Sequence, residues 1–467
     1  MRSALLALPL ATLPQPLRSL TCLLVLALAA TAPLPALANG RFPQTNQLVV
    51  EPGNPDHVVV RATFGLLVTR DRGGSWDFVC EQAFGPQNTD PPLALLPGGR
   101  MLLGVGIGIS RSDVLGCTFE PARGIDTRVV DVSASLAEPG TAFAVTQEQD
   151  GATFWVSTDA GETFTRAAEP LSDFVAVTLD VAPSNPERIY ASGLIDSTGV
   201  LLRSTDRARH FERLPIPGAS GSAVPYIAGI DPSDEDIVYV RTYGIPGSLT
   251  QTRDGGQSFE APLQTTSPVQ GFALSSDGAA IVVSNVVDGT FTADRDSFEF
   301  ERVRCGAASC LGFAADDLLG CGSDPVDGFV VGRSRDGGAT FSRLLALSCL
   351  PGPVACPATS GVGTVCPDAW PAIRTQIGAD VCAPLDVPED SACFEAGGAP
   401  GSGGTESGAG SPPSARPGEP GGDCGCRLPS SRSPGPWFAL SALVLGLLRR
   451  RRAVVRSRLY SPDGRFA

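Results

Sequence analysis

The chain contains no lysine: all 35 basic residues are arginine, set against 49 acidic ones. The resulting formal charge of −14 argues against nucleic acid as a partner, because counterion release needs a basic face. Histidine is almost missing as well. His57 and His210 are the only two, which argues against a His-rich metal centre. Aromatics are 6 % and charged residues 18 %. The usual signatures of nucleotide and acyl chemistry are also missing: there is no P-loop, no dinucleotide fingerprint and no nucleophile elbow. What is plentiful is turn-forming residue. The 54 glycines and 41 prolines are too many for a helical bundle, while 42 % apolar content is too high for a wholly disordered chain. A turn-rich β protein with a low-complexity appendix fits these numbers, and 467 residues allow either several domains or one large all-β unit.

Both ends look like addresses. In residues 1–38, Arg2 and Arg18 precede an apolar core from Leu20 to Ala32, and Ala36-Leu37-Ala38 supplies a small-x-small cleavage pattern before Asn39. Cys22 stands at the start of that core, whereas a lipidated cysteine should follow it. A signal peptide cleaved after Ala38 is therefore expected, with a retained membrane anchor as the alternative. At the other end, Asp423-Cys424-Gly425-Cys426 precedes an apolar run from Trp437 to Leu448 and then Arg449, Arg450, Arg451 and Arg452. The run is shorter than the ~20 residues that span a bilayer as a helix, and the arginines after it would halt translocation. This order of parts resembles the MYXO-CTERM sorting signal of myxobacterial surface proteins. The resemblance implies processing and anchoring at Cys424 or Cys426. This chain departs from the pattern by its tail, residues 453–467; a plain stop-transfer anchor is the alternative. Between the two ends, residues 39–436 hold 26 basic and 48 acidic residues, a net charge of −22.

The body repeats itself. Thr69-Arg-Asp71-Arg-Gly73-Gly-Ser75-Trp76 returns as Ser157-Thr-Asp159-Ala-Gly161-Glu-Thr163-Phe164. It returns again as Thr252-Arg-Asp254-Gly-Gly256-Gln-Ser258-Phe259 and as Ser334-Arg-Asp336-Gly-Gly338-Ala-Thr340-Phe341. Three worn copies lie between these: Ser112-Asp113 to Thr118-Phe119, Ser204-Thr-Asp206 to His210-Phe211, and Thr292-Ala-Asp294 to Phe298. The aspartates fall at 71, 113, 159, 206, 254, 294 and 336, a step of 40 to 48 residues. That is the period of a four-stranded propeller blade. Before each phrase, apolar β-branched runs bounded by Pro, Gly, Asn and Asp read as hairpins, as in Val49–Val60 and Gly229–Val240. A third strand then runs into the phrase, as Gly65 to Thr69 does, and a fourth leaves it.

The phrase resembles the Asp-box, or BNR, repeat, over roughly residues 45–347. The likeness implies a seven-bladed β-propeller of the sialidase-like superfamily, which includes non-catalytic propellers of the sortilin and photosystem-assembly type. It also implies a structural role on the rim for the box residues, away from the axial face where propellers bind. The physics is local: carboxylate and hydroxyl bond the turn's own backbone, glycine permits positive φ, and the aromatic packs between blades.

Of thirteen cysteines, Cys22 leaves with the signal and Cys424 and Cys426 belong to the sorting motif. Ten remain, which suggests five disulfides in an exported protein. Cys80 and Cys117 stand apart and are expected to pair across adjacent blades. Cys305, Cys310, Cys321, Cys349, Cys356, Cys366, Cys382 and Cys393 cluster late, without the short paired spacing of a zinc site. The domain reading is a propeller at 39–348, then a Cys-rich module at 349–395 with a helical turn from Asp368 through Trp370 to Ile377. A flexible Gly/Ser/Pro linker follows at 396–422, then the sorting segment at 423–452 with its short hydrophobic helix.

Chemistry is harder to find. A sialidase site resembles three arginines clamping a carboxylate, a tyrosine nucleophile with a glutamate partner, and an aspartate acid/base. The stretch before the first box has Arg41 and Arg61 but lacks the family's Arg-Ile-Pro. Tyr190 and Tyr239 sit at equivalent strand positions and read as core, leaving Tyr226 and Tyr243. His57 is placed in a turn and His210 in a worn box, both structural or solvent-facing. The acidic turn from Asp231 to Asp236 reads as a solvated hairpin tip rather than a Ca²⁺ loop. No cofactor, metal or catalytic residue is expected. The expected function is non-enzymatic binding of a protein, peptide or glycan through the axial face of an exported, surface-presented propeller. A sialidase-like hydrolase and a passive coat component are the alternatives. A deep charged axial pocket would favour the hydrolase, and a broad apolar or aromatic face would favour protein binding.

Overall fold

The computed structural model describes residues 43–86, 90–379 and Cys382. The expected signal, the Gly/Ser/Pro linker and the sorting segment with Cys424, Cys426 and Arg449 to Arg452 lie outside these, as does Cys393. Among the described residues no helix is long and apolar enough to cross a membrane.

Seven four-stranded antiparallel sheets follow one another as blades 1 to 7, at residues 45–80, 93–121, 129–166, 175–220, 224–265, 271–304 and 311–345. Strand order within every blade follows the chain. The first strand of each blade packs against the first strand of the next, and blade 7 meets blade 1. First strands therefore ring the axis and fourth strands form the rim, so the predicted seven-bladed propeller is the fold. The middle strands explain the apolar runs. Val58, Val59, Val60, Leu66 and Leu67 are fully buried because each blade is sandwiched between two neighbours, and each such side chain contributes ~1.5–3 kcal/mol. The axial strands are less regular. In blades 1, 3, 4 and 5 the pairing skips Asn46, Val130, Val177 and Ala228, a bulge that twists the strand beside the axis.

No blade combines strands from both ends of the chain, so the ring is closed by other means. After blade 7 the chain crosses to blade 1, where Phe78 N–H donates to Gly352 O (3.0 Å) and Val354 N–H to Phe78 O (2.9 Å). The helix Gly361–Ile377 follows, capped by Ser360 Oγ accepting from Gly363 N. It buries Val362, Cys366, Ile373 and Ile377 against a cluster that includes Phe64 and Phe78. Disulfides Cys80–Cys366 and Cys117–Cys356 fasten this segment to blades 1 and 2. Cys349–Cys382 and Cys310–Cys321 are the other two resolved pairs, and Cys305 is also disulfide-bonded. Disulfides of this number mark an exported chain.

The expected Cys80–Cys117 pair is therefore wrong. Cys80 ends a fourth strand, whereas Cys117 lies in the turn before one, so the two occupy opposite ends of neighbouring blades. The helix also starts earlier than Asp368. Ser360 nucleates it despite glycines at 361 and 363 and prolines at 367 and 371, and burial against blade 1 outweighs their poor propensity.

Candidate functional site

The recurring phrase forms the connection between third and fourth strands. In blade 1, Thr69 Oγ1 donates to Asp71 Oδ1 (2.8 Å) and accepts from Gly73 N–H (2.9 Å). Asp71 also accepts from Ser75 N–H (2.8 Å) and Ser75 Oγ (2.7 Å). The same bonds recur at Thr252, Asp254, Gly256 and Ser258, and at Ser334, Asp336, Gly338 and Thr340. Ser157, Asp159, Gly161 and Thr163 repeat the main-chain part. Of the worn copies, blade 4 keeps the whole set, with Ser204 donating to Asp206, Ala208 N–H to Ser204 Oγ, and His210 N–H and Nδ1 to Asp206, while in blade 6 Asp294 caps Asp296 N–H. Trp76, Phe164 and Phe341 are buried, and Phe259 packs partly buried at the blade 4–5 junction. The glycine is where a blade touches its predecessor: a Cβ on Gly161 would lie 2.4 Å from Leu102 Cδ2 of blade 2. Hydrogen bonds from Ser75 and Thr69 hold Asp71 below the usual carboxylate range. At Asp254 partial burial pushes up, but bonds from Ser258 and Thr252 prevail and bring it to about 2. These carboxylates are consumed by their own turns.

Two axial carboxylates behave oppositely. Asp131 and Asp180 lie on the axial strands of blades 3 and 4. Asp131 accepts from Leu179 N–H of the next blade (3.0 Å) and Asp180 from Ser133 Oγ (2.7 Å). Both are half-buried toward the axis, enclosed by the ring of strands. Burial, only partly offset by the bonds from Leu179 and Val132, pushes Asp131 up to about 7, and burial raises Asp180 as well. A raised carboxyl favours the folded state below its unfolded value and loses that advantage as pH climbs through the folded one. Box aspartates act in the reverse sense, stabilising above about pH 4 and less as pH falls toward 2. The raised pair loses its advantage progressively from the unfolded value to the folded one, so thermal stability should be greatest at about pH 4 and decline toward about pH 7. Melting curves across pH should show Asp131→Asn plus Asp180→Asn flattening only the alkaline limb. An unchanged alkaline limb would refute the assignment.

Among the described residues the remaining axial groups do not assemble into a carboxylate clamp. Arg61 and Arg241 hold equivalent places in blades 1 and 5, and each spends its guanidinium on the main chain of the connection to the next blade. Arg61 donates to Pro91 O (2.6 Å) and Arg241 to Val269 O (2.5 Å) and Gln270 O (3.1 Å). Tyr226 lies under Arg241 and against Tyr243; Tyr190 and Tyr239 are fully buried. His57 sits in a strand rather than a turn. It is 1 % exposed, donates to Glu51 Oε2 (2.8 Å) and accepts from Arg70 (2.9 Å). Burial lowers its pKa, so it is a neutral core histidine. The turn at Asp231 is not a solvated tip either. Asp231 is fully buried and bonded to Arg295, while Glu235 and Asp236 hold Arg188.

Both end faces expose apolar side chains, with Val114, Leu115 and Leu136 at the phrase end and a larger set opposite it. At the end opposite the phrase, the connections between second and third strands carry Ile107 in blade 2, Tyr243 and Ile245 in blade 5, and Val286 and Val287 in blade 6. Val326 stands in a one-turn helix of blade 7. Ile245 is 85 % and Val326 72 % exposed. Blades 3 and 4 present Gln149, Asp150, Asp196 and Ser197 in the same places. Blades 5 to 7 thus carry an apolar arc, whereas the corresponding connections of blades 3 and 4 are polar and acidic, with only Val175 exposed beside them. Sequence reasoning passed over this arc, although an apolar side chain where a hairpin normally takes Asn, Asp or Gly was a usable signal.

No family model matches the chain, and no curated protein matches it in sequence. Solved structures do. Hydrazine synthase of Kuenenia stuttgartiensis matches with a TM-score of 0.50 at 11 % identity, over 64 % of this chain and 97 % of that one. YCF48 from Cyanidioschyzon merolae matches with 0.42 at 13 % identity, over 62 % and 94 %. A GH74 enzyme of Niastella koreensis matches with 0.36 at 13 % identity, over 64 % and 65 %. At these identities the likeness concerns the fold alone.

Proposed function

We propose that this protein is an exported propeller that binds a protein or peptide segment through the face opposite the phrase turns, without catalysing a reaction. The observation that carries the reading is the apolar arc of Tyr243, Ile245, Val286, Val287 and Val326 on three successive blades. Soluble proteins rarely leave such a patch uncovered unless something binds it. In the same reading the seven phrases are Asp-box repeats of the sialidase-like superfamily, with Asp71, Asp113, Asp159, Asp206, Asp254, Asp294 and Asp336 as scaffold. The ends are a signal peptide and a MYXO-CTERM-type signal, so that export and sorting machinery are transient partners and the propeller is presented at the cell surface. A hydrolase would need axial arginines free to hold an anion, and Arg61 and Arg241 are already engaged by carbonyls.

The test is quantitative capture from surface and medium fractions of cells that make the protein, using the disulfide-bonded chain as bait. A partner retained by wild type should be lost with Ile245→Ser plus Val287→Ser, and kept with Asp336→Asn. Glycoside turnover by the same material, abolished by Asp131→Asn, would overturn the binding reading.

A further inference from the structure

The phrase turn of blade 4 keeps the fold of the others but changes its chemistry at two positions. Arg207 and Ala208 are both left-handed, at φ +64° each, whereas the equivalent second residue in blades 1, 3, 5 and 7 is glycine. His210 replaces the Ser or Thr of the phrase. Its Nδ1 bonds Asp206 Oδ2 at 2.6 Å, the contact that Ser75, Ser258 and Thr340 make with a hydroxyl. The turn is preserved, and the rest of the imidazole stands 89 % exposed. Arg209 beside it is also exposed, and its guanidinium has no partner among the described residues. A local rule broken at the cost of backbone strain is where function is to be sought.

Both side chains line a cleft of about 790 Å³ at the rim between blades 3 and 4, within the size range of small-molecule sites. Arg166 and Arg213 also reach it, and Pro170 and Leu171 supply an apolar wall. The acidic groups around it are mostly committed: Asp173 to Arg213, Asp206 to the turn and His210, and Glu148 to Thr146 and, at 3.6 Å, Arg166. Glu169 is the one carboxylate among the residues lining the cleft, in a body of net charge −22.

We propose that this cleft binds a small organic anion carrying two or more carboxylates, with Arg209 and Arg166 pairing the carboxylates, the imidazolium form of His210 donating from Nε2 while its Nδ1–H holds Asp206, and the carbon skeleton against Pro170 and Leu171. Charge-assisted bonds supply orientation, and the apolar wall separates such a ligand from an inorganic anion. The site is separate from the apolar arc and stands whether or not the arc binds a partner.

Calorimetric titration with citrate and with digalacturonate tests it, the first representing a free polycarboxylate and the second the end of an acidic glycan. Arg209→Ser and His210→Thr should each weaken the better ligand about threefold, and together about tenfold. His210→Thr restores the residue type of the phrase and so keeps the turn. Glu169→Gln should tighten binding about twofold, and Ile245→Ser should leave it unchanged. No binding of either probe at millimolar concentration, sulfate binding as well as both, or variants without effect would each overturn the proposal.

Discussion

Replacing Cys80, Cys117, Cys356 and Cys366 together with alanine should lower the melting temperature of the protein by about 10 °C, the drop expected from losing ~5–8 kcal/mol in a body of this size. The reason is topological. Most of the ring is held by blades packed on their neighbours, but the junction of blades 7 and 1 joins residues from opposite ends of the chain. Side-chain bonds across it among the described residues include Thr45 Oγ1 to Val330 O and Ser309 Oγ to Thr45 O. The C-terminal segment spans this junction, adds to the outer edge of blade 1 and is bolted there by bridges of sequence separation 286 and 239. Closing so long a loop removes much entropy from the unfolded chain. The bridge Cys310–Cys321 serves as the control, since its separation of 11 lies within one hairpin of blade 7. Its removal should cost about half as much as one long bridge. In hydrogen exchange, the four-cysteine variant should expose amides of blade 1 before those of blade 4. Equal costs for short and long bridges would mean that blade packing alone closes the ring.

The repeat made the architecture readable from residues alone. Seven aspartates in phase, each preceded by an apolar run ending in Ser or Thr, placed the third strand of blade 1 at Gly65–Thr69, where the structure has it. Such features are legible because they are local: the turn's carboxylate, hydroxyl and glycine bond one another within eight residues. What was not legible depends on which blades and which ends of blades come together. Cys80 and Cys117 looked like partners because they were close in sequence and far from the other cysteines. The choice of Cys366 and Cys356 follows only from where the C-terminal helix lies. Asp131 gave no sign of its raised pKa, since its partner Leu179 lies on the next blade, 48 residues away. His210 was visible as a worn box. That its ring takes over the hydroxyl's bond and still faces a cleft needed the folded turn.

A single methyl group at Gly151 should be among the most damaging of small changes to the blades. Gly151→Ala is expected to cost ~3–5 kcal/mol and lower the melting temperature by about 5 °C. Gly151 opens the third strand of blade 3 at φ +130°, a conformation open mainly to glycine. A Cβ there would lie 2.3 Å from Leu171 O, 2.5 Å from Leu171 C and 2.6 Å from Ser172 Cα. All three are backbone atoms, so no rotamer change relieves the clash. The connector cannot retreat freely either. Ala152 N–H donates to Leu171 O (3.1 Å) and Leu171 N–H to Ala152 O (2.9 Å), so moving Leu171 breaks a matched pair. Gly65 faces the same constraint in blade 1, with Val79 O 2.3 Å from its Cβ position. Gly98→Ala separates the two costs: that glycine has φ +96° with open space around it, and should lose only the dihedral part. Leu171 is also a wall of the rim cleft. Gly151→Ala should therefore weaken citrate binding while Arg209 and His210 remain in place, whereas Gly98→Ala should not. Equal melting temperatures for the two variants would show that the connector yields, and the close approach at Gly151 would then carry neither stability nor the cleft.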